Sequence, residues 1–216
     1  VATVFGGQIY TSTDFGVNWT ARESPRNWIA AAFSDDGINL VAAAYNGQIY
    51  TSTDSGASWT PRESTRSWWS VASSTDGSKL VAVVNGGQIY TSTDSGVNWT
   101  ARESTRSWQA VVSSTDGVRL LAVAANGQIY VSTDSGVTWS ARDSDRFWLS
   151  AAISVDGGKL IAAEYGGQIY TSILGDETTL GTAGFISGNQ FDAIALQYIG
   201  GDQFIVLSHT GTLTAN

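Results

Sequence analysis

Over residues 68–107 the chain alternates short apolar runs with polar breaks. "WWSVASS" is apolar with small residues, "TDG" interrupts it, and "KLVAVV" is apolar at nearly every position. "NGG" breaks the chain again before "QIYTS", and "TDSG" leads into "VNWTARES". Runs of about 5–6 residues between Gly, Asp and Asn turns predict β-strands joined by tight connections. The 3.6-residue spacing of a helix is not sustained anywhere, and frequent Gly disfavours long helices. The four predicted strands are A (from Trp68), B (80–84), C (88–92) and D (97–104). A and B lack alternation, which predicts cover on both faces; D carries Thr, Arg and Glu and reads as an exposed edge.

The same words return. Gln8 recurs as Gln48, Gln88, Gln128 and Gln168, a period of 40 residues without slippage. A fixed period of this size signals a repeat architecture. A sheet with a buried inner half and a wet outer edge, repeated this way, predicts an all-β fold: a β-propeller of four-stranded antiparallel blades. Small residues in strand A ("AAAFS", "SVASS") suit the crowded centre. A linear β-solenoid, with coils of roughly 20–30 residues, fits the period less well.

"STDFGVNW", "STDSGASW", "STDSGVNW" and "STDSGVTW" carry the pattern S-x-D-x-G-x-x-W in register. On these residues the chain resembles the Asp-box, or bacterial neuraminidase repeat, propellers over residues 1 to 172 or so. The resemblance implies that the box is the hairpin between strands C and D. The expected roles are structural: Asp14, Asp54, Asp94 and Asp134 satisfy turn N–H groups. Gly16, Gly56, Gly96 and Gly136 supply positive φ, and Trp19, Trp59, Trp99 and Trp139 fold back over the turn.

Counting strands makes the ends unequal. "VATVF" aligns with strand B, so residues 1–27 form a partial blade B-C-D. Full blades follow at 28–67, 68–107 and 108–147, with a degenerate blade at 148–190 and a partial closing blade A-B-C at 191–216. Six blades are favoured over five, in a single propeller domain over 1–216, because the gap left is one D followed by one A. Val1 opens inside a repeat, which reads as a processed or truncated product. The missing strands would come from an N-terminal segment or from another copy of the chain, since open strand edges template addition.

Charge and composition narrow the chemistry. The net charge of −8 over 216 residues disfavours nucleic acid as a partner. No apolar run reaches the ~20 residues that span a bilayer. Without Cys there are no disulfides or thiolate ligands, and the lone His209 cannot build a zinc site, so no metal and no cofactor is expected.

Blade grammar puts the A–B and C–D turns on one face and the B–C and D–A connections on the other. On the second face, "ARESPRNW", "PRESTRSW", "ARESTRSW" and "ARDSDRFW" place Arg26, Arg66, Arg106 and Arg146 two residues before the Trp of an inner strand. Beside them lie turns with Tyr45, Asn85 and Tyr165, and the inner Trp68 and Trp108. Guanidinium forks match carboxylates and aromatic faces stack on sugars, so these are the candidate ligand contacts. The structural alternative pairs each Arg with Glu23, Glu63, Glu103 or Asp143, or stacks it on Trp of the next blade. No catalytic residue is assigned. The Arg-Ile-Pro segment of neuraminidases is absent, and Glu164 beside Tyr165 is the lone pair resembling their chemistry. The expectation is a non-enzymatic extracellular binding or display module of bacterial type, with glycans or acidic polymers as ligands. A self-assembling structural subunit is the alternative, and a sialidase-like glycosidase a remote one.

Overall fold

The computed structural model describes residues 1–173 and, beyond them, the strand backbone at 186–187, 193–200, 203–210 and 214–215. The chain divides into two compact units, Val1–Leu174 and Gly175–Asn216, each described by itself.

In the first unit every strand pairs antiparallel with the next in the chain. The order is β1 (Ala2–Thr3), β2 (Phe5–Thr11), β3 (Thr20–Phe33), β4 (Leu40–Ser52), β5 (Thr60–Ser73) and β6 (Leu80–Ser92). There follow β7 (Thr100–Ser113), β8 (Leu120–Ser132), β9 (Ser140–Ile153), β10 (Lys159–Glu164) and β11 (Ile169–Ile173). The long strands each serve two predicted strands. The first half of β5 is strand D, pairing with β4 (Ile49↔Arg62, Thr51↔Thr60). Its second half is strand A of the next blade, pairing with β6 (Trp68↔Val84, Ser73↔Leu80). β4, β6 and β8 hold strands B and C, folded at a turn where Asn46, Gly86 and Asn126 have φ of 52°, 70° and 53°. A Cβ on Gly47 would lie 2.8 Å from the Ala44 Cβ, which marks how tightly that turn closes. These repeated blades, with their antiparallel A-B-C-D grammar, make the fold a β-propeller.

Two boundaries differ from expectation. Strand D begins at Thr100 rather than Val97, because Asn98 N–H is held by Asp94 Oδ1 at 2.9 Å and the intervening residues remain in the turn. Strand A is only half covered. Trp68 and Val71 are buried while Trp69, Ser70 and Ala72 are intermediate.

The core lies between blades. Val41, Ala43 and Ile49 of one blade pack against Trp68, Leu80, Ala82 and Tyr90 of the next. Val81, Val83 and Ile89 meet Trp108, Leu120, Ala122 and Tyr130 in the same way. β-Branched and aromatic side chains fill a pleated surface well, and neither blade face buries itself alone. The A–B turns add a backbone ladder across blades: Asp35 N–H donates to Thr75 O (2.8 Å), Thr75 N–H to Thr115 O (2.8 Å) and Thr115 N–H to Val155 O (3.0 Å).

In the second unit β13 (Ala193–Gly200) and β14 (Gln203–Thr210) form an antiparallel hairpin where strands A and B are expected. β15 (Thr214–Ala215), inside the expected strand C, pairs with β12 (Ile186–Ser187). The degenerate stretch at 174–185 lies outside the described residues.

Candidate functional site

The two families of connection do fall on separate faces. Ser55 N–H of a C–D turn donates to Ile38 O of an A–B turn (3.0 Å), and Tyr165 N–H of a B–C turn to Phe147 O of a D–A connection (2.8 Å).

On the first face the carboxylates are consumed by their own turns. Ser52 Oγ–H donates to Asp54 Oδ1 (2.8 Å) and accepts from Gly56 N–H (2.9 Å). Ser58 donates its amide to Oδ1 (2.9 Å) and its hydroxyl to Oδ2 (2.6 Å). The Ser58 hydroxyl, with the amide and Ser52, holds the Asp54 carboxyl down to about 2. Trp59 Nε1–H closes the turn on Gly56 O at 3.1 Å. The residue before each Gly is also left-handed: Phe15, Ser55, Ser95 and Ser135 have φ between 56° and 59°. The A–B turns repeat the device, Asp76 accepting from Ser74 (2.6 Å) and from Ser78 N–H (2.9 Å).

The second face carries the arginines. Between Arg62 and Arg66 the D strand bulges, and the bulge residue Glu63 takes φ 35°; Glu23, Glu103 and Asp143 do the same at 54°, 41° and 59°. Gln48 Nε2–H holds the Glu63 carbonyl at 3.0 Å, and Gln8, Gln88 and Gln128 hold their counterparts at 2.8–3.1 Å. The bulge brings the acid beside the arginine. Arg26–Glu23, Arg66–Glu63 and Arg106–Glu103 lie at 3.4, 3.3 and 3.6 Å. Each guanidinium also covers a tyrosine ring of the next blade, at 4.8 Å over Tyr50, 4.7 Å over Tyr90 and 4.5 Å over Tyr130. The expected partner was Trp; that ring sits one layer lower, edge-on to the same tyrosine (Trp68–Tyr90, 5.1 Å). The arginines keep 36–39 % of their side-chain surface exposed.

Trp68 and Trp108 are fully buried, so their faces serve the core and are closed to a ligand. Exposed aromatic surface comes instead from the turns. Tyr45 meets Trp69 edge-on at 5.8 Å, and Phe147 meets Tyr165 at 5.5 Å. Asn85 is half-buried opposite Ser107.

The fourth junction departs from the other three. Glu164 stands where Val4, Ala44, Val84 and Ala124 stand elsewhere. Its Oε2 lies 3.5 Å from Arg146 and accepts from Tyr170 Oη–H at 3.3 Å, so its partner is Tyr170 and not the neighbouring Tyr165. Desolvation raises the Tyr170 phenol above its ordinary value, which keeps it a proton donor. Arg146 covers Tyr170 at 4.7 Å and reaches Trp148 at 5.9 Å. Asp143 is 3.9 Å from its Nε.

Among the described residues no group of His, Cys, Asp and Glu comes together to hold a metal ion, and no helix is long and apolar enough to cross a membrane. The sequence marks the glutamines only as the beat of the repeat and gives the tyrosines under the arginines no role, although both recur every 40 residues inside "QIYTS" and its variant "QIYVS".

Comparison with known proteins agrees with the propeller architecture. The family described as "DUF6242 beta propeller domain" matches residues 65–154. Among solved structures, "YCF48 bound to D1 peptide" is similar at 20% identity and TM-score 0.54, over 69% of this chain and 52% of that one. A GH74 enzyme of Niastella koreensis is similar at 26% identity and TM-score 0.57, over 71% of this chain and 23% of its own. The computationally designed Ika4 protein is similar at 14% identity and TM-score 0.60, covering 72% and 96%. The chain thus spans about half of YCF48 and about a quarter of the GH74 enzyme. No curated protein sequence matches it.

Proposed function

We propose that this propeller is a non-enzymatic binding module of the Asp-box type, displayed outside the cell, for an anionic glycan or another acidic polymer. The ligand lies along the row of Arg26, Arg66 and Arg106. One observation carries this reading: charge is segregated between the faces. Asp54, Asp76 and their repeats on one face are locked into its turns, while on the other Arg26, Arg66 and Arg106 stand in a row, each against a single glutamate and with more than a third of its side chain exposed. A chain of net charge −8 therefore still holds a strip where an anion is favoured. The strip repeats, which suits a polymer, because each further contact forms at high effective concentration. The tyrosine beneath each guanidinium fixes its plane, and the exposed edge keeps donors for a carboxylate or sulfate.

The test is retention on immobilised alginate against neutral dextran. Wild type is expected to bind alginate, with binding weakened by salt and lost in the Arg66→Ala/Arg106→Ala double variant. Failure of wild type to bind alginate, or equal binding by the double variant, overturns the reading. No turnover of a fluorogenic sialoside is expected, since Glu164 and Tyr170 are engaged with each other and with Arg146.

A further inference from the structure

The fourth junction adds a second carboxylate to the chemistry of the other three, and we infer that it is a separate site for a basic side chain, the lysine or arginine of an extended peptide. At each of the first three junctions one arginine faces one glutamate. At the fourth, Arg146 faces both Asp143 and Glu164, so the balance of formal charge at the guanidinium turns from even to negative. Glu164 enters from the neighbouring blade at a position that is apolar in every other unit, and lies 3.5 Å from Arg146 Nη1 while Asp143 lies 3.9 Å from its Nε. Arg146 is thereby over-neutralised, where Arg66 is matched by Glu63 alone among the ion pairs described.

The same junction carries the most exposed aromatic pair on this face. Phe147 and Tyr165 are 39 % and 69 % exposed, with ring centroids 5.5 Å apart at 52°. The Tyr165 N–H to Phe147 O hydrogen bond, at 2.8 Å, ties the two backbones together, so the rings stand on a fixed base. At the other junctions the residue matching Phe147 is Asn27, Ser67 or Ser107, and the Tyr45–Trp69 pair is less exposed. Exposed π-faces beside excess carboxylate form the environment that attracts a cation through ring quadrupole and Coulomb terms together. An anionic polymer is repelled at this end of the row. The peptide is favoured over a small inorganic cation because Phe147 and Tyr165, next in the chain to Arg146 and Glu164, offer apolar ring surface for an aliphatic stem as well as charge for its head.

The test uses the full chain, ¹⁵N-labelled, titrated with a blocked Ala-Lys-Ala-Arg-Ala peptide and with its uncharged norleucine–citrulline counterpart. Expected are amide shifts centred on residues 145–149 and 164–166 for the basic peptide alone. Affinity should fall about tenfold in Phe147→Ser/Tyr165→Ser and in Glu164→Gln, and stay unchanged in Arg66→Ala/Arg106→Ala. The Glu164→Gln change preserves shape, and the two serine changes are at exposed positions, so the folded spectrum serves as control. Equal binding of the uncharged peptide, shifts confined to the acidic opposite face, or no shift at all would each overturn the inference. Loss of alginate retention with this site intact strikes only the polymer reading.

Discussion

The side-chain amide of Gln48 donates to the carbonyl oxygen of Glu63 at 3.0 Å, clamping a residue whose φ is +35°. A glutamate has no intrinsic preference for that conformation. The clamp, repeated once per blade, is what lets a bulge present acid and arginine side by side.

Gln88→Ala should therefore loosen the third bulge, where Gln88 holds Glu103 O at 3.1 Å. The expected cost is about 1 kcal/mol, read as a lower urea midpoint at unchanged slope. Gln88→Glu should cost more, because a carboxylate then faces a carbonyl oxygen.

Two glycines separate strain from space. At Gly96 φ is +81° and an added Cβ would lie 2.7 Å from Thr51 Cγ2 and 3.0 Å from Leu80 Cδ1. Gly96→Ala should cost roughly 2–4 kcal/mol through clash and strain together. Gly86 has φ +70° with open space around it, so Gly86→Ala should cost about 1 kcal/mol. Gly86→Asn should cost least, since Asn46 and Asn126 already stand there at 52° and 53°. Thermal melts of the three variants test the order.

Acid should weaken the first face. Asp54 and Asp76 are lowered from 3.8 to about 2 by the hydroxyls and amides of their own turns. Because the folded value lies below the unfolded one, their contribution is complete above pH 4 or so and is lost as pH falls toward 2. Tryptophan fluorescence during acid titration should show this loss. Asp54→Asn/Asp76→Asn should be less stable at neutral pH and flatter between pH 4 and 2.

Arg66→Ala removes the 4.7 Å stack on Tyr90. With a third of the side chain exposed, the cost should be about 1 kcal/mol or less. Trp68→Ala, which empties a fully buried site, should cost roughly 3–5 kcal/mol. Urea denaturation of both distinguishes the surface stack from the core ring below it, and shows that lost polymer binding in the arginine variant is not unfolding.

Much of this architecture is legible in the residues because strand and turn signals are local. The run "KLVAVV" announces a covered strand, and Ser52, Asp54, Gly56 and Trp59 announce a turn whose bonds close within eight residues. What stays hidden depends on neighbours across blades. Nothing in "RESTR" says that Glu63 will be left-handed, because a glutamine fifteen residues earlier imposes it. Tyr90 beneath Arg66 is equally invisible, since the two belong to different blades and meet only when the sheets stack. Trp68 looks like a surface ring next to an arginine, yet packing between blades draws it fully inside. Glu164 was visible as an oddity, but its partners were not, because Tyr170 and Arg146 reach it from across the hairpin and from the preceding connection.

The turn ladder from Asp35 through Thr75 and Thr115 to Val155 has a direction, since each donor points one period forward. A whole unit of 40 residues cut out or spliced in leaves every link with a mate of identical shape. A deletion within one of these turns removes the donor or the acceptor of a link. Whole repeats are therefore the quanta in which such a propeller lengthens or shortens with its ladder kept, and a library of variants differing by integral repeats is the natural way to vary how many arginine stacks a single chain displays.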